Sequence, residues 1–145
     1  MTWDYIREEG QFKLAPEGKH RVRIKSVEKS ISSAGNDMLV LQFEVSGSTS
    51  TIMHYIVFLN DRPEITNRML TQFFDSFKDI EDGDFDTNHW IGKVGAAQII
   101  HEKNSNGNTY AKIRYFIRAD RQDDIEPWIN VDGGGVVFDP NELPF

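Results

Sequence analysis

The chain contains no cysteine. That excludes a disulfide scaffold, a thiolate metal site and a cysteine nucleophile, and it fits a reducing compartment. No apolar run approaches the roughly 18 residues that a membrane-spanning helix needs. Met1-Thr2-Trp3-Asp4-Tyr5 has no basic segment ahead of an apolar stretch, so no secretory signal is expected. The histidines His20, His54, His89 and His101 are scattered and form no i, i+4 pair for a metal. There is no Gly-x-Ser-x-Gly elbow, and Gly133-Gly134-Gly135 is followed by no lysine that would make it a phosphate cradle. The acidic run at 81–86 fails as a calcium loop, because aligning Gly83 with the loop glycine puts Lys78 and His89 at its two ends. These absences leave no catalytic residue, metal or cofactor to assign. The expected protein binds rather than catalyses.

What is present is a chain of 145 residues, 39% hydrophobic and 12% aromatic, enough for one cored domain with a tail. The net charge of −7 is unevenly spread. Residues 1–60 are neutral, 61–91 carry −5, 92–121 carry +4, and 122–145 carry −6 with no basic side chain at all. A basic stretch beside an acidic end argues from local patches, not from the total.

Five stretches read as strands, and in three of them apolar and polar residues alternate with the period of a half-buried strand. His20, Val22 and Ile24 alternate with Arg21, Arg23 and Lys25. Leu39, Leu41, Phe43 and Val45 alternate with Gln42 and Glu44. Residues 51–59 are apolar on both faces, residues 92–102 read as a fourth strand, and residues 110–118 as a fifth. Gly47-Ser48-Thr49-Ser50 and Asn104-Ser105-Asn106-Gly107-Asn108 are hairpin chemistry. Between the third and fourth strands, Ile65, Met69, Phe73 and Phe77 recur every four residues, with Leu70 and Phe74 beside them. That spacing predicts a helix, capped by Asp61 with Glu64 three residues on and Pro63 in its first turn. Three strands, one helix and two strands predict a five-stranded OB-fold Greek-key barrel over residues 1–121, followed by a flexible acidic tail over 122–145. A generic β-sandwich would want about seven strands and no lone helix.

The strongest chemical pattern is basic residues interleaved with aromatics on strands. Arg21, Arg23 and Lys25 share one face of the first strand, and Tyr110, Lys112, Arg114 and Phe116 one face of the fifth. Phe43 and Tyr55 lie on the second and third strands, whose outer surface is the usual ligand face of an OB-fold. A cationic groove with aromatic platforms is what unstacked bases on a phosphate backbone require. The competing reading makes the basic rows a solvated strand face and puts Phe43 and Tyr115 in the core. His54 and Tyr55 face opposite ways, and Tyr55 is the candidate.

The ending Asp139-Pro140-Asn141-Glu142-Leu143-Pro144-Phe145 resembles the tip of bacterial single-stranded DNA-binding proteins. Leu143, Pro144 and Phe145 match it, and Asp139 and Glu142 supply part of its acidity. Leu14-Ala15-Pro16-Glu17-Gly18, Gly35-Asn36-Asp37-Met38-Leu39, the helix after Asn60 and Ile91-Gly92-Lys93-Val94 resemble a phage-encoded family of OB-fold single-stranded DNA-binding proteins. The resemblance implies sequence-independent coating of single strands during replication or recombination in the cytoplasm of a bacterial host. It also implies a tail that recruits replication or recombination proteins, with no membrane involved and homo-oligomerisation left open. The alternatives are a protein–protein adaptor with no nucleic acid ligand, and a phage DNA-processing enzyme.

Overall fold

A computed structural model describes residues 14–129. Its five strands are β1 (Gly18–Ile31), β2 (Asp37–Val45), β3 (Thr51–Val57), β4 (Val94–Lys103) and β5 (Thr109–Phe116), with helix α1 (Pro63–Ser76) between β3 and β4. They form one antiparallel sheet in the order β3-β2-β1-β4-β5. The sheet curls until its edge strands approach each other, with the His54 ring of β3 5.1 Å from the Phe116 ring of β5. This is the expected OB-like architecture. Among the described residues, no helix is long and apolar enough to cross a membrane.

The strands form where apolar residues alternate. Leu39, Leu41, Phe43 and Val45 of β2 all turn inward, packed with Val22 and Ile24 of β1 and Ile52 and Ile56 of β3. α1 closes one end of the curl. Its buried face is Thr66, Leu70, Phe73 and Phe74, continued by Phe77, while Ile65 and Met69 are only half-buried. Phe73 stacks on Phe77 at 4.8 Å and lies 4.7 Å from Trp90, which is itself fully buried with its indole N–H bonded to the Asp84 carbonyl at 2.7 Å. Gly95 of β4 is required by this packing, because a Cβ there would stand 2.8 Å from the Phe77 ring.

The start of α1 differs from expectation. Arg62 is the capping position, and no side chain caps the first turn. The helix is tied instead by Thr66, whose hydroxyl accepts from Leu59 N and donates to the Val57 carbonyl, both at 2.9 Å. A bond between the helix and the end of β3 fixes the helix's position as well as its first turn, which a local cap cannot do.

The boundary at residue 122 also shifts. After a single 3-10 turn at Ala119–Arg121, the chain stays on the body as far as residue 129. The buried Gln122 amide donates to the carbonyls of Ile117 and Ser76 and to Ser76 Oγ. Ile125 packs with Ala96 and Ile117 in a small second cluster, and Ile129 exchanges bonds with Ser46 and Gly47. An acidic composition did not reveal this, because the docking depends on one buried amide and two isoleucines. The tail candidates Asp139, Glu142, Leu143, Pro144 and Phe145 lie outside the described residues.

Candidate nucleic-acid interface

The outer surface of β3 and β5 is the most exposed aromatic region among the described residues. On β3, Met53 and Tyr55 are 45% and 50% exposed, at alternate positions opposite the inward Ile52, His54 and Ile56. On β5, Tyr110 and Tyr115 are 38% and 40% exposed. A groove of about 610 Å³ lies between the two strands, lined by Met53, Tyr55, Tyr110, Ala111 and Leu14. Two tyrosine rings and a thioether beside an open groove offer π faces and apolar area to a flat ligand.

Charge is arranged around it by the β4–β5 hairpin. Asn104 builds the turn: its side-chain oxygen accepts from the backbone N–H of Asn106 and Asn108, and Gly107 takes a φ of 81°. The hairpin's register sets Glu102 across from Tyr110. Lys112 lies 2.9 Å from Glu102 and Tyr110 donates to the same carboxylate at 2.8 Å. The bonds from Lys112 and Tyr110 hold the Glu102 carboxyl below its ordinary range, and the Glu102 hydrogen bond raises both the Lys112 ammonium and the Tyr110 phenol. Arg114 is exposed and makes no ion pair among the described residues.

The first-strand row has a different fate. Arg21 is turned onto the docked segment at 122–129. It donates to Gln122 Oε1, to the Gln122 carbonyl at 3.1 Å, and to the carbonyls of Ile125 and Glu126 at 3.4 and 3.3 Å. Arg23 pairs with Glu44 at 3.0 Å and lies 4.4 Å over the Trp128 ring. Lys25 falls in a bulge between the pairs Ile24–Phe43 and Ser26–Gln42, out of the row and exposed. The three therefore do not form one free cationic face. Arg21 is spent on a segment more than a hundred residues away in sequence, and Arg23 on Glu44 and the Trp128 ring.

Two aromatic candidates are corrected. Phe43 is fully buried between the rings of Phe77 and Phe116, and it faces Ile52 across the sheet. Phe116 is 7% exposed and packs on Phe43, Phe73 and Phe77. Neither ring can reach a base without opening the core. Phe116 is inside because β5 carries an extra residue. Ile113 pairs with Ile99 and Tyr115 with Gln98, which leaves Arg114 as the bulge and reverses the alternation beyond it. Tyr115 is thereby turned outward in the place assigned to Phe116. Met53 was legible in the sequence, since it shares strand parity with Tyr55. Tyr115 was not, because nothing local announces the bulge.

Beneath the groove, His54 sits inside the curl against Phe43 and Phe116, and burial lowers its pKa to about 4. It is neutral at physiological pH and contributes no charge to the surface. Among the described residues, no three His, Asp or Glu side chains are placed to hold a metal ion.

Residues 1–127 match the family described as Protein of unknown function (DUF669), and the chain belongs to that family. Among curated proteins, none matches it.

Proposed function

We propose that this DUF669 protein binds single-stranded DNA without sequence preference, along the groove between β3 and β5. The observation that carries the reading is the grouping of Tyr55, Tyr110 and Met53 in that groove, with Lys112 two residues beyond Tyr110 on the same face of β5 and Arg114 further along the same strand. Bases stack on the tyrosines, each stacked base contributing about 1–3 kcal/mol, and the cations meet the phosphates. A duplex hides its base faces, so it gains only the phosphate contacts. The work is binding and protection, not catalysis. The sequence resemblance extends the proposal to phage replication or recombination in the bacterial cytoplasm. Asp139, Glu142, Leu143, Pro144 and Phe145 would then recruit partner proteins.

Anisotropy titrations with labelled oligo-dT, duplex DNA and single-stranded RNA test the reading. Preference for a single strand is expected, with log affinity falling against log salt at a slope of about −3 for four phosphate contacts. Equal or stronger binding to duplex would overturn it.

A second reading rests on a different surface. An apolar groove of about 680 Å³ lies at the end of the β1–β2 hairpin, lined by Ile31, Met38, Phe58 and Phe85. Ile31 and Phe85 are both well exposed, a feature of protein-binding surfaces. An adaptor would use this groove and bind none of the three nucleic acids.

A further inference from the structure

Glu102 stands at the edge of the proposed strand path with both of its neighbours committed to one oxygen. Its Oε2 accepts from Tyr110 Oη at 2.8 Å and from Lys112 Nζ at 2.9 Å. The ladder enforces the arrangement, because Tyr110 lies directly across from Glu102 and Lys112 follows two residues later on the same face. Tyr110 is a wall of the groove. The side chains of Lys112 and Glu102 are 39% and 45% exposed, so the pair is open to exchange with an outside anion.

We infer that Glu102 gates Lys112: its carboxylate occupies the ammonium until a phosphodiester of an incoming strand displaces it, while its bond from Tyr110 keeps that ring against the groove. The inference rests on the single-strand reading and adds a residue to it that binds no nucleotide itself. An exposed ion pair is weak in water, so a phosphate can compete for the lysine. The carboxylate nevertheless lowers the gain from that contact in two ways. It repels the phosphate, and it has already neutralised the lysine, so binding there releases little condensed counterion. A single carboxylate thus sets how much of Lys112 the strand can use, and it steadies the tyrosine in both states.

Glu102→Gln isolates the gate, since a glutamine oxygen still accepts from Tyr110 but no longer holds the ammonium by charge. Titration of the full chain with labelled oligo-dT should show this variant binding roughly three- to five-fold tighter at low salt. Its salt slope should steepen by about 0.7, the contribution of one added single-strand phosphate contact. In a Lys112→Ala background the same change should alter affinity less than about two-fold, because the group being gated is gone. Glu64→Gln, on the exposed face of α1, controls for net charge and should leave affinity unchanged. An Glu102→Gln variant that binds like the parent, or that gains equally without Lys112, overturns the gate while leaving strand binding intact. A parent chain that fails to bind oligo-dT overturns the strand reading first, and the gate with it.

Discussion

β1 and β5 carry nearly the same sequence pattern and use it in opposite ways. Each alternates basic with apolar residues, and each interrupts the alternation with a bulge at a basic residue, Lys25 in β1 and Arg114 in β5. On β1 the arginines are consumed inside the protein, Arg21 by the carbonyls of residues 122–126 and Arg23 by Glu44 and Trp128. On β5 the cations stay at the surface beside exposed rings. The difference is topological. β1 is a central strand with neighbours on both sides, so its outer face is available for a returning segment to cover. β5 is an edge strand that looks across a groove to β3. A basic row therefore keeps its donors at the surface only where the fold leaves it uncovered.

Arg21 is where the two strands differ most. Arg21→Ala leaves the Gln122 side-chain oxygen and several carbonyls of the docked segment without their donor. It should destabilise the chain by about 2–4 kcal/mol, read from urea unfolding, and change oligo-dT affinity little. A stable Arg21→Ala protein that has lost DNA affinity would place the interface on β1 and reverse the contrast.

Acid should weaken the fold where β3 meets β5, through the His54 ring buried against Phe116. The His54 pKa is about 4 in the folded protein against 6.5 unfolded. Between those values the unfolded chain binds a proton that the folded one refuses. Stability is full above about pH 6.5 and falls as pH drops towards 4, by roughly 2–3 kcal/mol at the lower end. His89 has the opposite sign: the Asp84 carboxylate raises its pKa, so its contribution is present in acid and is lost as pH rises through that raised value. Comparing the parent with His54→Leu at pH 7 and pH 5 isolates the first effect. The variant should lose most of the acid sensitivity, and a variant with undiminished pH dependence would show that the interior histidine is not its source.

Tyr55→Ala should weaken oligo-dT binding by roughly ten-fold, within the range for a stacked base, with the salt slope almost unchanged. Phe43→Leu should instead lower stability and leave the affinity of the folded fraction alone, because that ring is core. The smallest effect is expected at Arg114→Ala, a loss of a few-fold in affinity with the slope shallower by about 0.7. If Arg23→Ala shallowed the slope equally, the two rows would be equivalent after all.

Much of the fold was readable from short-range pattern. The β2 alternation, the phenylalanine spacing of α1 and the asparagine-glycine turn each state a local geometry, and neighbouring residues suffice to specify it. Tyr55 and Tyr110 were readable in the same way, since neither is displaced by a bulge. The assignment of Phe116 failed because one extra residue at Arg114 inverts every side chain beyond it, and that insertion is visible only against the register of β4. The basic row of β1 was misread for a related reason. Which donors remain available depends on where residues 119–129 return, and that path is set by Gln122 and Ile125 meeting Ser76, Ala96 and Ile117.

The amino-acid order alone determined the number and kind of elements, because hydrophobic periodicity and turn chemistry act between residues a few positions apart. It also determined the uneven charge and the absence of thiol chemistry. The tertiary structure alone decided which rings face water, which cations keep a free donor and where a groove opens. Those outcomes depend on register and docking between segments as much as about a hundred residues apart, where a shift of one position exchanges inside for outside.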